Sequence, residues 1–341
     1  MKRLLLLLLL VACLPAAAAD RLAAYGADVH ALTVSGLSSG GNMAIQFQVA
    51  HSKRVRGVAV LAAGPYYCAQ GGLWTAYYNC MTPTAWASLP SIETLKAQAE
   101  RYAAEGRIDS TANLASTRLW FFSGMRDHTV ERPVVEAAAQ FYAAFGAQNV
   151  RIQSWPAGHG MVTLQDGVTC SRTEPPFIND CNYDAAGVLL AQLLGALKPP
   201  TLKESGRLLA FDQKAFAGGD AYSISLADAG YAYIPAACES ERCSVHVAFH
   251  GCRQGADIVG EQYVREAGYN RWADTNRLVI LYPQTIARFG LGYAGGRWSY
   301  VYNPRGCWDW WGYTDAQYAT KAGPQIRAVL AMVERLGAPR P

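Results

Sequence analysis

Ser38 lies at the centre of Gly36-Leu37-Ser38-Ser39-Gly40-Gly41, after an apolar β-branched run and before a helical stretch from Asn42 to His51. Glycines on both sides of a serine permit the tight strand-to-helix turn that lifts a hydroxyl clear of a sheet, and the helix N-terminus behind it favours developing negative charge. The chemistry implied is nucleophilic attack on an acyl group. A serine hydroxyl is a weak nucleophile until a base takes its proton, and the base needs a partner that fixes its tautomer. His159, in Trp155-Pro156-Ala157-Gly158-His159-Gly160, follows a predicted strand and is flanked by glycines, so its ring can project from a loop at the sheet edge. Asp127, in Ser123-Gly124-Met125-Arg126-Asp127-His128, sits just past another strand end. The order Ser38, Asp127, His159 is that of a serine-hydrolase triad.

Other histidines fit that role less well. His30 and His246 fall in strand patterns, His51 ends a helix, and His128 is too near Asp127 in sequence to be the better base. An oxyanion hole needs two backbone donors. The N–H of Ser39 supplies one; the run Phe249-His250-Gly251-Cys252 after a strand makes the N–H of Cys252 the second, with His250 as a supporting residue.

These groups need a scaffold, and the sequence alternates strand and helix patterns in its first two hundred residues. Strands are expected near Val29–Val34, Val55–Ala62, Leu119–Ser123 and Val150–Trp155, with helices at Ile92–Ala104, Pro133–Phe145 and Asp184–Leu197. Such alternation predicts a mostly parallel sheet covered by helices. After Lys198-Pro199-Pro200 the pattern changes to three short strands, Leu208–Phe211, Tyr231–Ile234 and Ser244–Phe249, read as a meander. A helix at Glu261–Asp274, a strand at Leu278–Tyr282, a long aromatic and Gly-rich loop to Gly312 and a last helix at Ala316–Leu336 complete the chain. In an α/β-hydrolase the meander precedes the nucleophile strand. Here it follows, so the expected fold is a circularly permuted α/β-hydrolase, one catalytic domain over 20–341, with the usual termini joined near residues 198–205.

Met1-Lys2-Arg3, the apolar run Leu4–Leu10 and the small residues to Ala19 have the three regions of a secretory signal peptide, too short for a permanent membrane span. Leu10-Val11-Ala12-Cys13 also resembles a lipobox, which would instead anchor the chain through Cys13. Cleavage after Ala19 removes Lys2 and Arg3 and lowers the formal charge from +4 to +2. That mild excess carries no nucleic-acid signal. Eight cysteines then remain, and an even number in an exported chain points to disulfides rather than metal. Their number alone allows on the order of a hundred pairings. Loop closure favours near neighbours, Cys68–Cys80, Cys170–Cys181 and Cys238–Cys243, which leaves Cys252 with Cys307. The proposed chemistry requires neither metal nor cofactor. Oligomeric state is not legible.

The runs Gly36–Gly41, Ala63-Gly64-Pro65-Tyr66-Tyr67-Cys68, Ala157–Gly160, Phe249–Cys252 and Gly306-Cys307-Trp308-Asp309-Trp310-Trp311-Gly312 together resemble the single-domain polyhydroxybutyrate depolymerases with a permuted α/β-hydrolase fold. The resemblance spans nearly the whole mature chain. It implies hydrolysis of esters in poly(3-hydroxybutyrate) or its oligomers, places Ser38, Asp127 and His159 on the family triad and Ser39 and Cys252 on its oxyanion hole, and puts Trp308 on an exposed aromatic of the substrate groove. No linker or separate polymer-binding domain is recognisable. A feruloyl or acetylxylan esterase shares the triad and the His-Gly-Cys loop; an inert scaffold that binds polymer through its tryptophans would have lost a triad member.

Overall fold

The structure is a computed structural model that describes residues 19–148, 150–294 and 297–340. The expected leader, and with it Cys13, therefore lies outside the described residues except for Ala19. In chain order the first elements are β1 (Asp28–Leu37), α1 (Ser39–Ala50), β2 (Val55–Leu61), α2 (Ile92–Ala104), β3 (Arg118–Gly124), α3 (Arg132–Ala143) and β4 (Ile152–Trp155). Three short strands, β5 (Met161–Thr163), β6 (Val168–Thr169) and β7 (Ile178–Asp180), form a small sheet before α4 (Ala185–Leu194). The second half contributes β8 (Arg207–Asp212), β9 (Ala229–Ile234), β10 (Ser244–Phe249), α5 (Ala256–Val259), α6 (Gln262–Glu266), α7 (Tyr269–Asn276), β11 (Leu278–Tyr282), the hairpin β12 (Arg288–Ala294) and β13 (Arg297–Asn303), and α8 (Pro324–Gly337).

Eight strands make the main sheet in the order β4-β3-β2-β1-β10-β11-β9-β8. Every pair from β4 to β11 is parallel; β9 and β8 are antiparallel. If the strands are counted from β8 and the count continues into β1, the sheet reads 1-2-4-3-5-6-7-8, the order of an α/β-hydrolase whose chain has been rotated. The rotation needs the last helix to deliver the chain to β1. It does: Tyr25 and Ala27 N–H both donate to the Leu336 carbonyl, and Gly337 packs on Val29.

Burial explains which patterns were readable. β2 and β11 are buried on both faces, as strands covered by helices on either side must be, and they read as continuous apolar runs. α1 is buried along its whole length between β1, β2, β10 and α8, which its Gly, Ala, Met and Phe content allows. Local punctuation overrides the simpler expectations elsewhere. The helix expected over Glu261–Asp274 is split, because Gly268 adopts a left-handed φ of 88° and caps a new helix. The last helix begins at Pro324, not Ala316, after a segment folded in turns. The third strand of the expected meander, β10, crosses over to pair with β1 and β11 instead of β9. The expected loop to Gly312 contains the β12–β13 hairpin, paired in register from Arg288 with Asn303 to Ala294 with Arg297.

Gly40 is required by close approach. A Cβ there would stand 2.4 Å from the carbonyl oxygens of both Phe249 and His250, at the end of β10. Since both neighbours are backbone, neither can move independently of the sheet. Gly40→Ala is expected to destabilise the fold by about 1–3 kcal/mol, measured by thermal unfolding. A variant with unchanged melting temperature would mean that β10 and α1 can separate freely.

Candidate active site

Ser38 occupies the hinge between β1 and α1 with φ 56° and ψ −123°, a conformation an L-residue holds only when its surroundings enforce it. Its N–H donates to the Leu61 carbonyl at the end of β2, and its own carbonyl accepts the Asn42 N–H of the first helical turn. On the opposite side Gly36 and Gly40 touch backbone to backbone, so a side chain on either would block the turn. Ser38 follows β1, Asp127 follows β3 and His159 follows β4, all at the carboxyl ends of parallel strands of one sheet, with β2 between β1 and β3.

Asp127 and His159 meet at 2.7 Å, carboxylate Oδ2 to ring Nδ1, and both are buried. The other carboxylate oxygen, Oδ1, accepts the N–H groups of Thr129 and Val130 at 2.8 and 3.0 Å, which fixes its orientation. With Nδ1 committed to the carboxylate, Nε2 is the nitrogen free to exchange a proton. The His159 loop is itself secured by its N–H to Thr173 Oγ1 and by Gly124, which leaves no room for a Cβ against the Ala157 carbonyl. His128 is exposed.

The His-Gly-Cys loop after β10 is equally constrained. His250 hydrogen-bonds the Gly251 carbonyl through Nδ1 at 2.7 Å, while its Nε2 accepts the Thr285 N–H at 3.1 Å. This pairing requires the neutral Nδ1–H tautomer, and burial lowers the pKa to about 4. Gln254 closes the turn by accepting the Gly251 N–H and donating to the carbonyls of Pro176 and Phe177. Cys252 is disulfide-bonded to Cys307, one of four bridges; the other pairs are Cys68–Cys80, Cys170–Cys181 and Cys238–Cys243, all as expected from the sequence.

Trp308 departs from its expected place. Its side chain is 0% exposed, set edge-on to Phe249 at 5.0 Å and beside His250 at 5.7 Å, and the backbone N–H of Trp308 donates to Ser39 Oγ. It packs beneath the Ser38–Ser39 turn and the His250 loop and does not line the cleft. The reason is Asp309, a fully buried carboxylate around which the chain is wound. Its oxygens accept N–H groups from Trp311, Gly312, Tyr313 and Thr314 and the Thr314 hydroxyl. Burial raises the Asp309 pKa against these hydrogen bonds, which favour the charged form. That winding and the Cys307 bridge pull residue 308 inward.

Ser38 opens into a cleft of about 690 Å³ whose aromatic walls come from Trp310 and Trp311, from Trp74, Tyr77 and Tyr78, and from Tyr300 and Tyr302 of the hairpin. Trp74, 71% exposed, stacks on Tyr78; Phe289 sits edge-on to Tyr300 and Tyr302, its cross-strand neighbours. The period-two spacing of Tyr300 and Tyr302 was the available signal for a strand with one aromatic face. Among the described residues no group of three or more His, Cys, Asp or Glu side chains is placed to hold a metal ion, and no helix is long and apolar enough to cross a membrane.

No protein-family model matches the chain. It is 35% identical over 328 residues to a polyhydroxybutyrate depolymerase of Talaromyces funiculosus, an alignment that covers 94% of this chain and 93% of that protein. The chain belongs to the polyhydroxybutyrate depolymerase family. A poly(3-hydroxybutyrate) depolymerase of Delftia acidovorans is 40% identical over 327 residues, which is 94% of this chain but 62% of the relative, so the chain spans less than two thirds of that protein. Among solved structures, a serine-to-alanine PHB depolymerase complexed with an R3HB trimer superposes with a TM-score of 0.84 at 33% identity, and a PHB depolymerase from Penicillium funiculosum with 0.83 at 33%. Each alignment covers 93% of this chain and 99% of the other. The permuted α/β-hydrolase architecture is thus common to the depolymerase chains.

The depolymerase chain also buries histidines away from Ser38. His246 bridges Thr33 Oγ1 and Ser35 Oγ between β10 and β1, and burial lowers its pKa to about 3; His51, with Nε2 unpartnered, is lowered to about 4. All three depressed histidines stay neutral in the fold where the unfolded chain takes up protons, so stability is full above about pH 6.5 and is lost as the pH falls toward 4. Each contributes up to about 1.4 kcal/mol per pH unit in that window. Melting temperature is expected to drop steadily from pH 7 to pH 4.5. A flat profile would show that these histidines are charged in the native state.

Proposed function

We propose that this chain is an exported serine esterase that hydrolyses poly(3-hydroxybutyrate) or its oligomers through an acyl-enzyme on Ser38. The observation that carries the proposal is the strained serine at the base of an aromatic cleft, in a chain of depolymerase descent. In this reading His159 Nε2 takes the Ser38 proton as Oγ attacks the ester carbonyl, and Asp127 holds the ring and stabilises the imidazolium. The N–H groups of Ser39 and Cys252 stabilise the oxyanion. The proton then passes from His159 to the departing hydroxyl, and water, activated by the same histidine, releases the acyl group. Ser39 is unsuited to attack, because its hydroxyl already accepts the Trp308 N–H.

Removal of residues 1–19 on export agrees with four disulfides, which persist in oxidising compartments. We place the permutation junction at residues 198–205, between α4 and β8, and treat 20–341 as one catalytic domain. A carbohydrate esterase would share the triad, and the depolymerase descent of the chain favours the polyester reading over it.

Ser38→Ala should lower ester hydrolysis by on the order of 10⁴, while Ser39→Ala retains most activity because its backbone donor survives. Labelling by a fluorophosphonate at Ser39 would reverse the assignment. The substrate class is tested by turbidity clearing of a poly(3-hydroxybutyrate) suspension beside methyl ferulate hydrolysis. Trp74→Ala and Tyr300→Ala should depress clearing about tenfold more than p-nitrophenyl acetate turnover, because remote contacts orient long substrates. Equal losses on both substrates would exclude these rings as chain-binding surfaces.

A further inference from the structure

Arg305 is the one charged side chain among the residues that line the cleft. The other walls are aromatic, aliphatic or uncharged polar. Elsewhere on the surface Arg54, Arg132, Arg207 and Arg277 are each matched by a carboxylate within 2.8 Å, whereas the Arg305 guanidinium has no such partner among the described residues. The backbone that carries it is nevertheless fixed. The Arg305 carbonyl accepts the Arg253 N–H at 2.7 Å, and two residues on, Cys307 is bridged to Cys252 with their Cα atoms 4.2 Å apart. A second cation, Arg253, lies over the Phe177 ring at 5.0 Å on the adjoining loop. The chain therefore presents an unneutralised guanidinium to the cleft that Ser38 and Cys252 also line, where no other wall is charged.

We infer that Arg305 binds the free carboxylate at the acid end of a hydroxyalkanoate oligomer and so favours cleavage near that end; the inference rests on the polyester reading above. A polyester of hydroxy acids is neutral along its length and carries one negative charge, at the carboxyl terminus. When the ester carbon bonds to Ser38 Oγ and its bond to the ester oxygen breaks, the fragment that leaves as an alcohol is the one that retains this terminus. Its new hydroxyl receives the proton from His159. Arg305 thus acts on the leaving-group side, where the planar guanidinium fork suits a carboxylate. Since the group is exposed, its attraction is screened by salt.

The test uses the full enzyme with the (R)-3-hydroxybutyrate trimer as free acid and as methyl ester. The wild type should prefer the acid by about tenfold in kcat/KM at low ionic strength, chiefly through KM, and the preference should shrink in molar salt. Arg305→Gln should bring the acid-to-ester ratio near one, Arg305→Lys should restore part of it, and Arg305→Glu should favour the ester; thermal unfolding confirms that each variant is folded. A wild type indifferent to esterification, or an Arg305→Gln variant that keeps the preference, overturns the assignment while the polyester reading stands. Failure of the wild type to cleave either trimer while it turns over p-nitrophenyl butyrate overturns the polyester reading and this assignment with it.

Discussion

The contact of Gly40 with the carbonyls of Phe249 and His250 places two loops that are two hundred residues apart in sequence within a single peptide's width of each other. One loop carries the strained serine and the other the His-Gly-Cys turn, so this backbone-to-backbone approach sets the separation of the two, on which the proposed oxyanion stabilisation would depend. Everything around it preserves that distance. β1 and β10 are parallel neighbours in the sheet, His246 ties them through Thr33 and Ser35, and Trp308 fills the space beneath both loops.

The cleft depends on a second device, the buried Asp309. A carboxylate removed from water is tolerated only when its oxygens are fully hydrogen-bonded. Here the chain satisfies it by turning five polar hydrogens inward, and the cost of burial is converted into a unique path for residues 309–314. Trp310 and Trp311 are presented to the cleft as a result, while Trp308 is withdrawn.

Much of this was legible beforehand because local signals and long-range packing agreed. The Gly-Ser-Gly turn, the positions after strand ends and the rotated element order each have a direct backbone cause, and the near-neighbour cysteines pair as chain entropy favours. What escaped the sequence depended on partners remote along the chain. Nothing in Gly306–Gly312 reveals which of three buried tryptophans is kept out of the cleft, because that is decided by Asp309, by Gln325 accepting the Asp309 N–H and by Ser39 accepting the Trp308 backbone N–H. The hairpin was hidden by its glycines, which read as loop, and the aromatic segment around Trp74 to Tyr78 lacks any regular period. Arg305 looks like an ordinary surface cation until the walls around it are seen.

The rotated order of the chain has a consequence for synthesis. Ser38 leaves the ribosome early, on the strand that becomes the middle of the sheet, but β10, which pairs with β1 from Asp28 opposite Ser244, emerges more than two hundred residues later. Cys307, which completes the cleft through its bridge to Cys252, comes later still. Long-range pairing of this kind slows folding, because the chain must close a large loop before the contact rewards it. The turn that carries Ser38 therefore precedes by more than two hundred residues the β10 loop packed against it, and the cleft is complete only once the two halves of the sheet have met.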